Sequence, residues 1–177
     1  AKIIVDYKTR IDSGTILFRD GVIQEIGASV VVPKEAVVVD LNGKYIYPSL
    51  IDMFSDYGMP EVKKPAPGDG SPQFQSATKG AYNWNQAVKP EFEAYKNFVA
   101  DPKKADEWRR LGFGAVMSLN RDGIVRGTSA VVLLGEGKEN DLVLRDRAAA
   151  NYSFDKGSST QDYPRSEEHT SELQSHS

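Results

Sequence analysis

Tyr45-Ile46-Tyr47-Pro48-Ser49-Leu50-Ile51-Asp52-Met53-Phe54-Ser55-Asp56-Tyr57-Gly58 is the stretch on which the fold turns. After Pro48 the run Leu50, Ile51, Met53, Phe54 leaves Asp52 as its one polar residue, too apolar for a strand with one face in water. It predicts a strand buried on both faces, as in a parallel sheet or barrel. Alternate residues of a strand share a face, so Phe54 and Asp56 point the same way near its C-terminal end.

Upstream, residues 1–48 read as short strands separated by turn chemistry. A strand over 14–18 runs into Arg19-Asp20-Gly21 and returns over 22–26; a second over 37–40 runs into Asn42-Gly43 and returns over 45–47. Asp-Gly and Asn-Gly tolerate the positive φ of tight turns, which predicts two hairpins and a small β module.

Downstream, residues 59–81 hold Pro60, Pro65, Pro67 and Pro72 with Gly68, Gly70 and Gly80, an irregular segment long enough to carry function or motion. Pro90 then opens a helical pattern in which Phe92, Tyr95, Phe98 and Val99 form one apolar stripe. Asp101-Pro102 is the signature of an N-cap followed by proline in the first turn; Trp108 and Leu111 are expected to face the core before Gly112 ends that helix. Residues 114–119 read as a second buried strand, giving the strand-helix-strand order of a βα unit. Further strands are expected over 129–134 and 141–145, split by the turn Gly135-Glu136-Gly137-Lys138.

The bulk properties exclude several classes. The chain has 177 residues, 40% hydrophobic and 27% charged, enough for one domain or two small ones. A net charge of -3 gives no basic excess for phosphate backbones or anionic lipid, so no nucleic-acid partner is expected. With no cysteine there is neither a disulfide framework nor a zinc-thiolate site. No apolar run approaches the roughly 20 residues of a membrane span.

From Arg165 the composition changes to Arg-Ser-Glu-Glu-His-Thr-Ser-Glu-Leu-Gln-Ser-His-Ser. This peptide matches the in-frame translation of a widely used short-read sequencing adapter, and it has no helical or strand period. Residues 165–177 are therefore expected to be an artefactual, disordered tail, with the inherited chain cut near Pro164. Both histidines, His169 and His176, lie in it, which leaves the inherited part without an imidazole.

Three runs together resemble the amidohydrolase superfamily. Ile16-Leu17-Phe18-Arg19-Asp20-Gly21-Val22-Ile23-Gln24-Glu25-Ile26-Gly27 resembles its first hairpin; Pro33 with Val37-Val38-Val39-Asp40-Leu41-Asn42-Gly43-Lys44 resembles the run that follows; Tyr47-Pro48-Ser49-Leu50-Ile51-Asp52 resembles the family's "V-x-P-G-L-I-D". Gly112-Phe113-Gly114-Ala115-Val116 is similar to the opening of the second barrel strand. The resemblance covers roughly the first third of the chain and one later strand. Within the superfamily it is nearest to the exported imidazolonepropionase-like amidohydrolases, which implies a periplasmic or exported setting; the residues themselves leave the compartment unknown.

What the resemblance implies is a metal-dependent hydrolase of carbon-nitrogen bonds other than peptide bonds. Its architecture is an α/β barrel with an appended β module, here a β-sandwich part plus the first strands and helices of a truncated (β/α)8 barrel. In boundaries, residues 1–48 would form the composite β-sandwich module, 49–164 the incomplete barrel, and 165–177 the tail. The family's strand carries His-x-His, two imidazoles that reach one Zn²⁺ or similar ion, whose bound water ionises near neutral pH. Here those positions hold Phe54, which has no lone pair to give, and Asp56, which alone retains a donor for a hard cation. The site is degenerate: Asp56 is the single metal-ligand position, no catalytic residue is assigned, and no cofactor is expected. Asp52 reads as a structural hydrogen-bonding residue.

Two functional readings follow. One is an inactive fragment of an amidohydrolase-family protein whose parent takes a small-molecule substrate. The other is a non-catalytic binding or scaffolding barrel subunit that pairs, as a homo- or hetero-oligomer, with an active paralogue. Other candidates carry bland readings. Arg121-Asp122-Gly123 lies where barrel enzymes place functional groups but also reads as a turn. Tyr82, Trp84 and Asn85 offer a stacking surface or ordinary packing. Gly135-Glu136-Gly137-Lys138 lacks the spacing of a phosphate loop, and Ser158, Ser159 and Thr160 have no imidazole nearby to activate a hydroxyl.

Overall fold

Tight turns and two short sheets organise the first 49 residues. The computed structural model describes residues 1–63, 66, 71–80 and 84–163; the expected tail and both histidines lie outside these. The chain divides into two compact units, Ala1–Ser49 and Leu50–Ser177.

In the first unit β1 (Lys2–Ile4) pairs antiparallel with β2 (Arg10–Ile11). The turn between them is closed by Asp6, whose carboxylate accepts the backbone N–H groups of Lys8 and Thr9, each at 2.7 Å. A hairpin follows, β3 (Thr15–Arg19) with β4 (Val22–Gly27). Asp20 at φ 53° and Gly21 at φ 77° make the two-residue turn whose twist suits a hairpin, as the Asp-Gly pair predicts. The second expected hairpin does not form. Gly43 takes φ 74° while Asn42 does not turn left-handed, and Lys44 N–H closes on Leu41 O at 3.0 Å. A turn with positive φ at only its second central residue does not match hairpin twist. The strand after it, β5 (Tyr45–Ile46), lies parallel to β1 instead, and 37–40 is not a strand. Ile3 is buried, whereas Val37, Val38 and Val39 are exposed, and an apolar cavity of about 500 Å³ opens between residues 14–18 and 36–41.

The second unit is built on a mixed four-stranded sheet in the order β10-β9-β7-β6. Here β6 is Leu50–Ser55 and β7 is Phe113–Ser118, parallel neighbours with Asp52 opposite Val116. The crossover between them contains α1 (Ala94–Asn97) and α2 (Pro102–Arg110). The helical pattern predicted from Pro90 shrinks to the single turn α1; Phe98 is buried just beyond it, but Val99 is exposed. In contrast α2 begins as expected: the Asp101 carboxylate accepts Lys103 N–H at 3.0 Å and Lys104 N–H at 3.2 Å, with Pro102 in the first turn. Gly112 at φ 96° follows its end. Trp108 packs on the core edge-to-face with Phe113, while Leu111, expected inside, is exposed. Leu111 is the cap residue, already turned off the helix face that Ala105 and Trp108 share.

Beyond β7 come β8 (Val125–Thr128), β9 (Ala130–Leu133), α3 (Glu139–Leu142), β10 (Val143–Arg145) and β11 (Ala150–Tyr152). The expected strand over 141–145 starts later, because residues 139–142 wind into α3. β9 runs antiparallel to β7, and β10 antiparallel to β9; β8 pairs with β11 in a separate ribbon. The sheet ends at β10 on one side and at β6 on the other, so the described residues do not close a barrel. The core gathers Tyr57, Phe98, Val116, Val132, Leu134 and Leu142. β6 itself is not buried on both faces: Leu50, Ile51, Met53 and Phe54 are all more than half exposed, because β6 is the sheet's edge.

Candidate functional site

The pairing of β6 with β7 is irregular between Asp52 and Ser55, and burial changes from one residue to the next just there. Ser55 and Tyr57 turn inward and are buried, while Phe54 and Asp56 face out. The inward pair is tied down: Ser55 Oγ accepts Tyr57 N–H at 3.1 Å, and Ser118 Oγ on β7 donates to Tyr57 O at 2.7 Å. Burial, with Asp101 alongside, pushes the Tyr57 phenol above its usual range. Asp52 accepts the N–H of Phe54 at 3.0 Å, a local backbone bond.

On the outward side the chain returning from β7 delivers an arginine. Leu119 N–H donates to Ser55 O at 2.9 Å, which carries the pairing one residue past β7 and sets Arg121 over the outward pair. Arg121 Nη2 donates to Phe54 O at 2.7 Å, its guanidinium carbon stands 4.5 Å from the centre of the Phe54 ring, and Nη1 reaches Asp56 Oδ2 at 3.5 Å. One guanidinium thus touches both positions where the resemblance places imidazoles. Its sequence signal was present in Arg121-Asp122-Gly123 after the second strand, but nothing in the spacing tied it to Phe54 and Asp56.

A metal centre does not fit this donor set. A divalent zinc ion takes about four ligands, at least three from protein. Phe54 supplies none, the Asp56 carboxylate faces a fixed cation, and among the described residues no group of three or more His, Cys, Asp or Glu converges.

The neighbouring Asp122 is the second polar centre, and reading Asp122-Gly123 as a turn captured only part of its role. Gly123 does turn, at φ 93°. Asp122, however, is buried and accepts from Lys89 Nζ, from Ser158 N–H at 2.6 Å and from Ser158 Oγ at 2.7 Å. Burial opposes its ionisation, yet the hydrogen bonds from Lys89 and Ser158 outweigh that and hold the carboxyl below its usual range. So stabilised an anion is a poor base, and Ser158 spends its proton on it; the arrangement locks loops together and does not generate a nucleophile. Gln86 extends the lock, its Oε1 accepting both Thr160 N–H and Thr160 Oγ1 at 2.9 Å, while Gln161 Oε1 accepts Gln86 N–H at 2.7 Å. Ser159 is buried and accepts Gln161 N–H at 3.3 Å. A cavity of about 390 Å³ opens beside Asn85, Gln86, Lys89 and Thr160. Asn85 is buried and accepts Ala87 N–H, whereas Trp84 is exposed; Tyr82, the third member of the expected stacking surface, lies outside the described residues. Gly135-Glu136-Gly137-Lys138 is a connection between β9 and α3, where Arg109 reaches Leu134 O at 2.6 Å.

Among solved structures, the chain is similar to an amidohydrolase from Thermotoga maritima MSB8, with a TM-score of 0.54 and 25% sequence identity. The likeness covers 78% of this chain and 34% of that one, so the chain spans about a third of that protein's length. The fold is amidohydrolase-like, which supports a hydrolase-family origin. No protein-family model matches the sequence, and no curated protein matches it. No helix among the described residues is long and apolar enough to cross a membrane.

Proposed function

We propose that this chain belongs to a protein descended from hydrolases of non-peptide carbon-nitrogen bonds, and that its residues serve as scaffold and not as a hydrolytic centre. The observation that carries this reading is the pair at the end of β6. Phe54 and Asp56 stand where the resemblance requires two imidazoles, and Arg121 caps both. A small molecule would be the substrate of the whole protein, with any catalytic metal held by residues other than these. The test is hydrolysis of simple amides, lactams and cyclic imides by the purified chain with and without added Zn²⁺, next to an active amidohydrolase. No turnover above buffer is expected; turnover that disappears in Asp56→Ala would overturn the reading.

A second reading, a binding or scaffolding subunit paired with a histidine-bearing paralogue, is favoured by β6. Among the described residues β6 is an edge strand with exposed Leu50, Ile51, Met53 and Phe54, a surface that another chain can cover. Co-expression with such a paralogue tests it. Stoichiometric co-elution is expected, weakened by Met53→Lys; separate elution of the two chains counts against it.

A further inference from the structure

The guanidinium over Phe54 and Asp56 is held from both ends of its segment. Two residues before it, Leu119 N–H is bonded to Ser55 O at 2.9 Å. One residue after it, Asp122 is clamped by Lys89 and by Ser158, and Gly123 lies so close to the Ala87 carbonyl that an added Cβ would come within 2.7 Å of its oxygen. The side chain between these anchors stacks on an aromatic face, donates to a backbone carbonyl and pairs with a carboxylate, three interactions that suit a planar, permanently charged guanidinium. The neighbouring charges have partners of their own: Arg126, on the same return, is buried with its Nε on Gly123 O at 2.9 Å, and Asp122 faces Lys89 and Ser158.

We propose that Arg121 is the resident cation of this strand end, a side-chain substitute for a metal ion that holds the Asp56 carboxylate and keeps divalent cations away from it. A cation approaching Asp56 would meet like charge within a few ångströms, a separation shorter than the roughly 10 Å over which salt screens. The proposal stands on the geometry of Phe54, Asp56 and Arg121 and does not need the parent protein to be a hydrolase. Failure of the turnover assay and failure of this idea are therefore separate outcomes.

The experiment gives the site a second ligand and then removes the guanidinium. Phe54→His places an imidazole beside Asp56. Zn²⁺ affinity is measured by competition with a chromogenic chelator in the full chain carrying Phe54→His, with and without Arg121→Met. Thermal unfolding confirms that each variant is folded; if the Met variant is not, Arg121→Gln, which keeps amide donors near Phe54 O without the charge, replaces it. The expected result is that removing the guanidinium tightens Zn²⁺ binding at least tenfold, with Phe54→His alone no better than the unsubstituted chain. A gain of less than tenfold overturns the proposal. So does one Zn²⁺ retained per unsubstituted chain and lost in Asp56→Ala.

Discussion

The Tyr57 hydroxyl and the backbone of Asp101 are bonded to each other twice: Oη accepts Asp101 N–H at 3.1 Å and donates to Asp101 O at 3.2 Å. Asp101 in turn caps α2, so one phenol joins the end of β6 to the start of the crossover helix. Removing it takes the partner from the Asp101 N–H, while Asp101 O keeps the helical bond from Ala105 N–H at 2.9 Å. Tyr57→Phe is expected to cost about 1 kcal/mol in urea unfolding followed by circular dichroism, since one part-buried N–H loses its partner. An unchanged midpoint would mean that water replaces the hydroxyl without loss.

Asp101→Ala removes the carboxylate that accepts Lys103 N–H and Lys104 N–H. The expected loss is about 1 kcal/mol, the ordinary worth of an N-cap, with Asp101→Asn losing less. Amide hydrogen exchange at the first turn of α2 should quicken in the Ala variant before exchange in β7 does.

Gly58 sits at φ 71°, and an added Cβ would stand 2.4 Å from ring carbons of Phe98 and 2.8 Å from Val99 O. Both the left-handed backbone and the close ring oppose a side chain. Gly58→Ala should therefore cost more than the roughly 1–2 kcal/mol of the backbone term alone. Equal stability of Gly58→Ala and the parent in denaturant titration would show that Phe98 moves aside freely.

Asp122 predicts a pH signature. Its carboxyl has a folded-state value below the ordinary 3.8, so it binds its proton less readily in the folded chain than in the unfolded one. That stabilisation is fully present above about pH 4 and is lost as pH falls through the lower, folded value. Asp122→Ala should thus be destabilised by about 2 kcal/mol at pH 7, in line with loss of charge-assisted hydrogen bonds. The gap between variant and parent should narrow as pH is lowered below 4. A gap constant from pH 7 to pH 3 would show that packing, not the charge on Asp122, supplies the difference.

Local chemistry was legible where one or two residues decide the outcome. Asp20-Gly21 makes its hairpin turn, Asp101-Pro102 opens a helix and Gly112 ends it, because φ preference and capping act over a few residues. The parallel pairing of 50–55 with 113–118 was readable from two apolar runs separated by a helix. Asn42-Gly43 misled, because a turn dipeptide states that the chain bends and not which strand it then pairs with. β5 pairs with β1, some forty residues earlier in the chain. The burial assigned to β6 failed for a similar reason: an apolar run reports what a strand can cover, and its place at the sheet edge depends on which other strands arrive.

The amino-acid order alone determined that no histidine precedes His169, and that positions 54 and 56 carry a ring and a carboxylate. Only tertiary structure decided what those two residues do. Arg121 and Asp56 are 65 positions apart in the chain, and they meet because the parallel pairing of β6 with β7 carries both strand ends to one side. Side-chain chemistry is written residue by residue, but a contact between distant residues exists only once the backbone has chosen its partners.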